Sequence, residues 1–168
     1  MNVLARAAAT LVVILALVAV LGWSSGRGGD GGPDRVAARR IVLLTNAVRQ
    51  QHGQPPLAVS EQLTRAGEAY AREMARREWF DHFDPDGATV EQRAEAFGYD
   101  GWVFLAENLA VDSDTREPAG VVASWLRSPG HRDNILSPDL GEVGVGCYAS
   151  SDDPARLWCA QEFGTRGR

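Results

Sequence analysis

The chain contains no lysine; its 17 basic residues are all arginine and face 22 acids, for a net charge of −5. A phosphate-backbone binder shows a clustered basic face and a positive balance. Here the dense basic groups are Arg39-Arg40 and Arg76-Arg77, both in helix-patterned stretches, which argues against nucleic acid as a partner. Cysteine is scarce too: Cys147 and Cys159 form no Cys-x-x-Cys, so a disulfide-dense scaffold is excluded. The three histidines, His52, His82 and His131, form no HExxH or His-x-His, and any metal or catalytic site must be assembled by folding. No serine sits in a G-x-S-x-G elbow; Ser128 and Ser137 lie in turn sequences, which weakens a nucleophilic hydrolase.

What is present is an ordinary globular composition, 45% hydrophobic and 23% charged, preceded by an unlike N-terminus. Arg6 is followed by an apolar run from Ala7 to Gly22, broken only by Thr10. At about 1.5 Å per residue the run reaches roughly 24 Å, short of the ~30 Å hydrocarbon core, as in the apolar region of a signal peptide. The lack of an Ala-x-Ala site and the presence of Trp23 point instead to an anchor at a membrane interface. Residues 1–23 therefore read as a signal peptide or N-terminal membrane anchor, 24–33 as a Gly-rich linker, and 34–168 as one domain outside the cytoplasmic membrane.

In that domain Asp34 is placed to cap a helix with Ile41, Leu44, Thr45 and Val48 at helical spacing, ending near Gly53. Ser60 opens a second helix with Leu63, Ala66, Tyr70 and Met74 on one stripe. HFDPDGA is a turn, and Thr89 to Phe97 a short helix stopped by Gly98; VFLAENLAV is ambiguous. Thr115 is a candidate cap for a helix with Pro118 in its first turn and Val121, Val122 and Trp125 turned inward, ended by Ser128-Pro129-Gly130. EVGVGCYASSDDPARLWCAQEFG reads as a hairpin. With Asp153 at its centre, Cys147 and Cys159 oppose one another, and a disulfide between them is expected beyond an export signal.

Two histidines and two glutamates stand out. His82 and His131 adjoin turn signals at element boundaries, where side chains converge on clefts. Glu107 lies inside FLAENLAV and Glu142 opens GEVGVG, and a carboxylate among apolar neighbours needs a partner. The four can satisfy each other as a closed polar network, or the acids can fix the ring tautomers while neutral imidazoles face a divalent metal. Spacing alone favours the first arrangement. Asn134, Ile135 and Leu136 are expected to hold the junction that carries His131, by local hydrogen bonding and core packing.

The motifs NAVRQQHGQPPL, HFDPDG, FGY, AENLA, VVASWLRSPGHRDNIL, GEVGVG and WCAQEFG, in this order over residues 36 to 164, resemble the bacterial branch of the CAP superfamily. Its SCP domain occurs in cysteine-rich secretory proteins, antigen 5 and plant pathogenesis-related proteins. The resemblance implies an α+β fold, an α-β-α sandwich with a central antiparallel sheet, and a cleft tetrad of His82, Glu107, His131 and Glu142. His82 and His131 would then be ligands for a divalent metal such as zinc. Asp84 and Ala106 depart from similar bacterial sequences and are expected to add a carboxylate near the cleft and bulk beside Glu107. The implied function is a binding module at the cell envelope or outside the cell, with an unidentified envelope or extracellular ligand. A metal-assisted hydrolase and a lipid- or sterol-binding protein are the alternatives.

Overall fold

The structure, a computed structural model, describes residues 31–112, 117–151 and 156–167. The apolar run, most of the linker, Thr115 and Asp153 lie outside the described residues. In chain order the elements are β1 (Gly32–Pro33), α1 (Arg35–Gln51), β2 (Ala58–Val59), α2 (Glu61–Arg77), α3 (Val90–Ala96), β3 (Trp102–Asp112), α4 (Pro118–Arg127), α5 (Pro129–Leu136), β4 (Glu142–Ala149) and β5 (Leu157–Arg166).

The first three helices begin where side chains can take up free backbone N–H groups. Asp34 accepts from Ala37 at 2.9 Å and Ser60 from Leu63 at 3.3 Å, while Thr89 and Gln92 form a reciprocal capping box. Ile41 and Thr45 on α1, and Leu63, Ala66, Tyr70 and Met74 on α2, are buried as their spacing predicts. Gly98 stops α3 with φ +81°, a left-handed conformation that favours glycine. α4 opens with Pro118 in its first turn, and its N-cap is Glu117. Ser128 alone separates α4 from α5, so the Pro-Gly pair begins the second helix as the first one ends.

The sheet runs β1-β4-β5-β3, with β2 beside β4. Its long strands are antiparallel, and the two-residue β2 pairs in parallel. The expected hairpin is β4–β5, with Cys147 opposite Cys159 in a disulfide at a Cα–Cα distance of 4.2 Å. Gly32 and Pro33, expected in the linker, pair with Ala149 and Tyr148, and the Asp34 N–H continues this pairing to the Cys147 carbonyl at 2.8 Å. The ambiguous VFLAENLAV is part of β3, which forms the outer edge of the sheet.

Helices cover both faces, giving the α-β-α sandwich. α1, α4 and α5 pack on Val143, Val145, Cys147, Cys159, Phe163 and Ala110 in one continuous core. α2 and α3 cover the other face. A Cβ added at Gly144 or Gly146 would stand 2.1 Å from the Thr64 nitrogen or 2.0 Å from the Glu68 nitrogen, so the glycines of GEVGVG let α2 lie directly on β4. No helix among the described residues is long and apolar enough to cross a membrane.

Candidate functional site

The β3 edge is where the two helical layers meet, and there His82 and His131 come together. His82 arrives on the segment between α2 and α3, and His131 is the third residue of α5. Their ring centroids are 6.4 Å apart at an interplanar angle of 56°.

Arg93 holds the His82 side of the cleft. Its Nη1 donates to the carbonyls of His82 at 3.1 Å and Ala88 at 2.9 Å, and its Nη2 donates to Glu107 Oε2 at 2.5 Å. The guanidinium also stacks on the Tyr70 ring, 3.7 Å from the centroid, while the Tyr70 hydroxyl donates to the Asp81 carbonyl. Glu107 completes the arrangement by accepting from His82 Nδ1 on its other oxygen at 2.7 Å. A carboxylate partner requires the proton on Nδ1, which leaves Nε2 as the ring's free nitrogen. The Glu107 side chain is 2% exposed and that of His82 is 56% exposed, so a buried acid steers a ring that reaches solvent.

His131 is placed through backbone anchors. Asn108 Nδ2 donates to the His131 carbonyl at 3.1 Å, and Asn134 Nδ2 donates to the Glu107 carbonyl at 3.2 Å and to Asn108 Oδ1 at 3.0 Å. Ile135 is fully buried in the core, as expected, but Asn134 works across to β3 and not locally. Arg49 locks the far end of α5, donating to the carbonyls of Ile135 and Ser137 at 2.8 Å each and to Pro55 at 2.9 Å. Trp125 Nε1 donates to the Leu109 carbonyl at 2.8 Å, fastening α4 to the same strand.

The two rings differ electrostatically. The hydrogen bond to Glu107, aided by its charge and that of Asp81, raises the His82 pKa above the ordinary imidazole value. Burial, and to a lesser degree proximity to His82, lowers that of His131.

Of the four residues expected in the cleft, three are brought together. Glu142 is not: it pairs with Gly164 on β5, whereas Glu107 pairs with Glu162, and its carboxylate accepts the Tyr99 hydroxyl at 2.6 Å. Its strand is separated from β3 by β5, and strand register decides its place. The two departures also land differently. Asp84 Oδ1 is spent on the N–H groups of Asp86 and Ala88 at 2.9 and 2.7 Å, shaping the turn. Ala106 packs against the α1-side core, on the face of β3 opposite Glu107. His52 is the exposed C-cap of α1.

Sequence reasoning passed over Arg93, Arg49 and Glu162. Glu162, 1% exposed, lies opposite Glu107 in the ladder. It sits within WCAQEFG, and the argument that singled out a carboxylate in an apolar run at Glu107 applies equally there. No comparable pattern marks the arginines.

A divalent cation sets a geometric condition on this donor set. Two imidazoles bound to one tetrahedral zinc place their centroids about 5 Å apart, so the observed pair has to close by roughly 1 Å. His82, with Nδ1 given to a carboxylate, has the orientation of a metal-bound histidine. Both Glu107 oxygens are already engaged, and no group of three His, Cys, Asp or Glu among the described residues could hold an ion. The site fits a cation bound by two protein nitrogens with its other positions open.

Known proteins share this architecture. The family model described as the cysteine-rich secretory protein family, CAP, matches residues 42–163. Uncharacterized protein YkwD of Bacillus subtilis is 34% identical over 134 residues, which are 79% of this chain and 49% of YkwD. The chain thus spans about half the length of that relative. The crystal structure of an extracellular SCP-domain protein from Bacillus anthracis superposes with a TM-score of 0.70 at 26% identity, covering 80% of this chain and 41% of that one. An outer surface protein of Borrelia burgdorferi shares the fold, with a TM-score of 0.69 at 21% identity, covering 82% of this chain and 99% of its own.

Proposed function

The chain belongs to the CAP family of cysteine-rich secretory proteins, and from that membership we propose that it is an extracytoplasmic binding domain that takes a divalent cation between His82 and His131. The observation that carries the reading is the ring pair itself, 6.4 Å apart, with one ring oriented by a buried carboxylate. His131, held neutral by burial, and Nε2 of His82 supply the nitrogens, and Glu107 and Arg93 orient without binding. A bound zinc would supply an electrophilic centre with open positions for a ligand from the envelope or the medium. Binding is favoured over metal-assisted hydrolysis because the Glu107 side chain is 2% exposed and its two oxygens accept from Arg93 and His82, so it is not presented to a substrate water. The extracellular description of the Bacillus anthracis relative and the apolar N-terminal run support placement outside the cytoplasmic membrane.

Calorimetric titration of the full chain with zinc tests this reading. At pH 7.5 a saturable heat is expected, weakening toward pH 5.5 as protons compete for the imidazoles. His131→Ala and His82→Ala should each lower the affinity at least tenfold. Equal heats for wild type and His131→Ala would remove this site. Peptide or ester turnover that is lost with either histidine and with a chelator would replace binding by hydrolysis.

A separate observation favours a second reading, lipid carriage. A groove of about 480 Å³ between α1 and α2 is lined by Ala38, Val42, Leu43, Val59 and Val145, with Arg35 and Arg39 among its walls. An acyl chain seated there would be displaced by Val42→Asp and untouched by His131→Ala; a fluorescent fatty acid read by anisotropy separates the two sites.

A further inference from the structure

Glu162 poses a problem that the cleft does not explain. It is 1% exposed, and with its carboxyl ionised neither oxygen has a hydrogen-bond partner. The nearest guanidinium is spent elsewhere: Arg93 gives Nη1 to two carbonyls and Nη2 to Glu107, and its Nε is itself buried without a partner. The groups around Glu162 come from every neighbouring element. β3 presents Glu107 in register and β4 presents Gly144. α3 supplies Arg93, whose guanidinium lies over Tyr70 of α2. Gly67 of α2 stands above, where an added Cβ would be 3.6 Å from Glu162 Cγ. His82 reaches this group only through Glu107. The polar group facing Glu162 is thus the Glu107 carboxylate, an acceptor. Two acceptors can join only if one carries a proton.

We propose that Glu162 is a neutral carboxylic acid that donates its proton to Glu107, and is the positioning residue that holds Glu107 as a singly charged acceptor for Arg93 and His82. The proton belongs on Glu162, because Glu107 receives two charge-assisted donors and Glu162 receives none. Two ionised carboxylates sharing one guanidinium would repel in a region closed to water. Burial first, then the facing Glu107, moves the Glu162 pKa well above the usual carboxylate range, outweighing Arg93. The proposal rests on the contact between Glu107 and His82, and holds whether or not the cleft takes a cation.

The wild-type protein supplies the first test. Its Glu162 side-chain ¹³C resonance at pH 7 should lie at the protonated position; the ionised position would overturn the proposal without any variant having to fold. A second test uses stability. Unfolded Glu titrates near ~4.3, so above that pH the folded state retains a proton that the unfolded state releases, and wild-type stability falls as pH rises. Glu162→Gln, which keeps a donor and cannot ionise, should therefore gain a few degrees in Tm over wild type at pH 8 relative to the difference at pH 4. A Tm loss that grows toward pH 8 would show that Glu162 is ionised. Positioning is read from the ¹⁵N tautomer pattern of His82: Glu162→Leu should shift it from the Nδ1–H form toward a mixture, and Glu162→Gln should restore it. An unchanged pattern in the folded Leu variant would leave Glu162 with no positioning role.

Discussion

On the α1 side of the sheet the strands present Ala110, Val143, Val145, Cys147, Cys159 and Phe163; on the α2 side the same strands present Glu142, Glu162 and Glu107. Alternation along β3, β4 and β5 sorts them. Among the described residues, the α1 side buries one uninterrupted cluster of 16. On the α2 side the apolar residues form two smaller groups, Tyr70, Met74, Leu109, Trp158 and Ala160 in one and Leu63, Ala94 and Tyr99 in the other, with the acids and Arg93 accompanying them. Polar satisfaction differs as well. On the α1 side Thr45 accepts from Gln161, Gln161 accepts from Asn108, and Asn108 accepts from Asn134. Among the described residues, the buried side-chain atoms that lack a partner when Glu162 is ionised lie on Arg93, Trp158 and Glu162, all on the α2 side. One face is a closed structural unit. The other carries buried polar groups on Arg93 and Glu162 beside Glu107, where local rules are not all met.

The strongest way to break this contrast is to damage the satisfied face. Arg49 is fully buried, and burial lowers its pKa; its charge is balanced by carbonyls from Pro55, Ile135, Ser137 and Leu140. Arg49→Leu strands these acceptors and frees the end of α5, so a loss of about 4 kcal/mol is expected in urea unfolding. If the variant unfolds at the wild-type midpoint, the α1 side does not depend on polar closure. The next effect is the disulfide, which closes a loop with a sequence separation of 12. The double variant Cys147→Ser, Cys159→Ser should lose about 3 kcal/mol by the same measurement and leave the proposed zinc affinity at its wild-type value, because the bridge lies on the face away from Glu107.

The smallest effect sharpens the contrast from the α2 side. The His82 pKa is raised in the folded state, so its contact with Glu107 contributes fully below the unfolded value near ~6.5 and fades as pH rises through the folded value. With the ring more than half exposed, solvent screening limits this to about 0.5 kcal/mol. The Tm difference between wild type and His82→Ala should thus be larger at pH 5.5 than at pH 8.5. A difference that grows with pH would mean that the ring is bound as the neutral form.

Much of this was legible in residue order because it depends on local chemistry. Asp34, Ser60 and Thr89 announce helix starts, the stripe from Leu63 to Met74 announces a buried helix face, and the spacing of Cys147 and Cys159 about a polar turn announces a paired hairpin. His82, His131 and Glu107 could be singled out by motif and context. Glu142 could not be separated from them, since its place follows from strand register, and a carboxylate two strands away looks the same in sequence as one in the cleft. Arg93 and Arg49 were hidden for a related reason. Their partners are mostly backbone carbonyls, near in the chain for Arg93 and mostly far along it for Arg49, and a carbonyl has no letter in the sequence.

The hydrogen bonds from Asn134 to the Glu107 carbonyl and from Trp125 to the Leu109 carbonyl have a consequence for the molecule as a solute. β3 is the last strand of the sheet, and outward carbonyls on such a strand are the groups to which a foreign strand would add. Here α4 and α5 have already filled two of them with their own side chains. The contacts that set the cleft also withhold the middle of this border from a passing chain, so loosening α5 should cost the protein its resistance to self-association as well as its site.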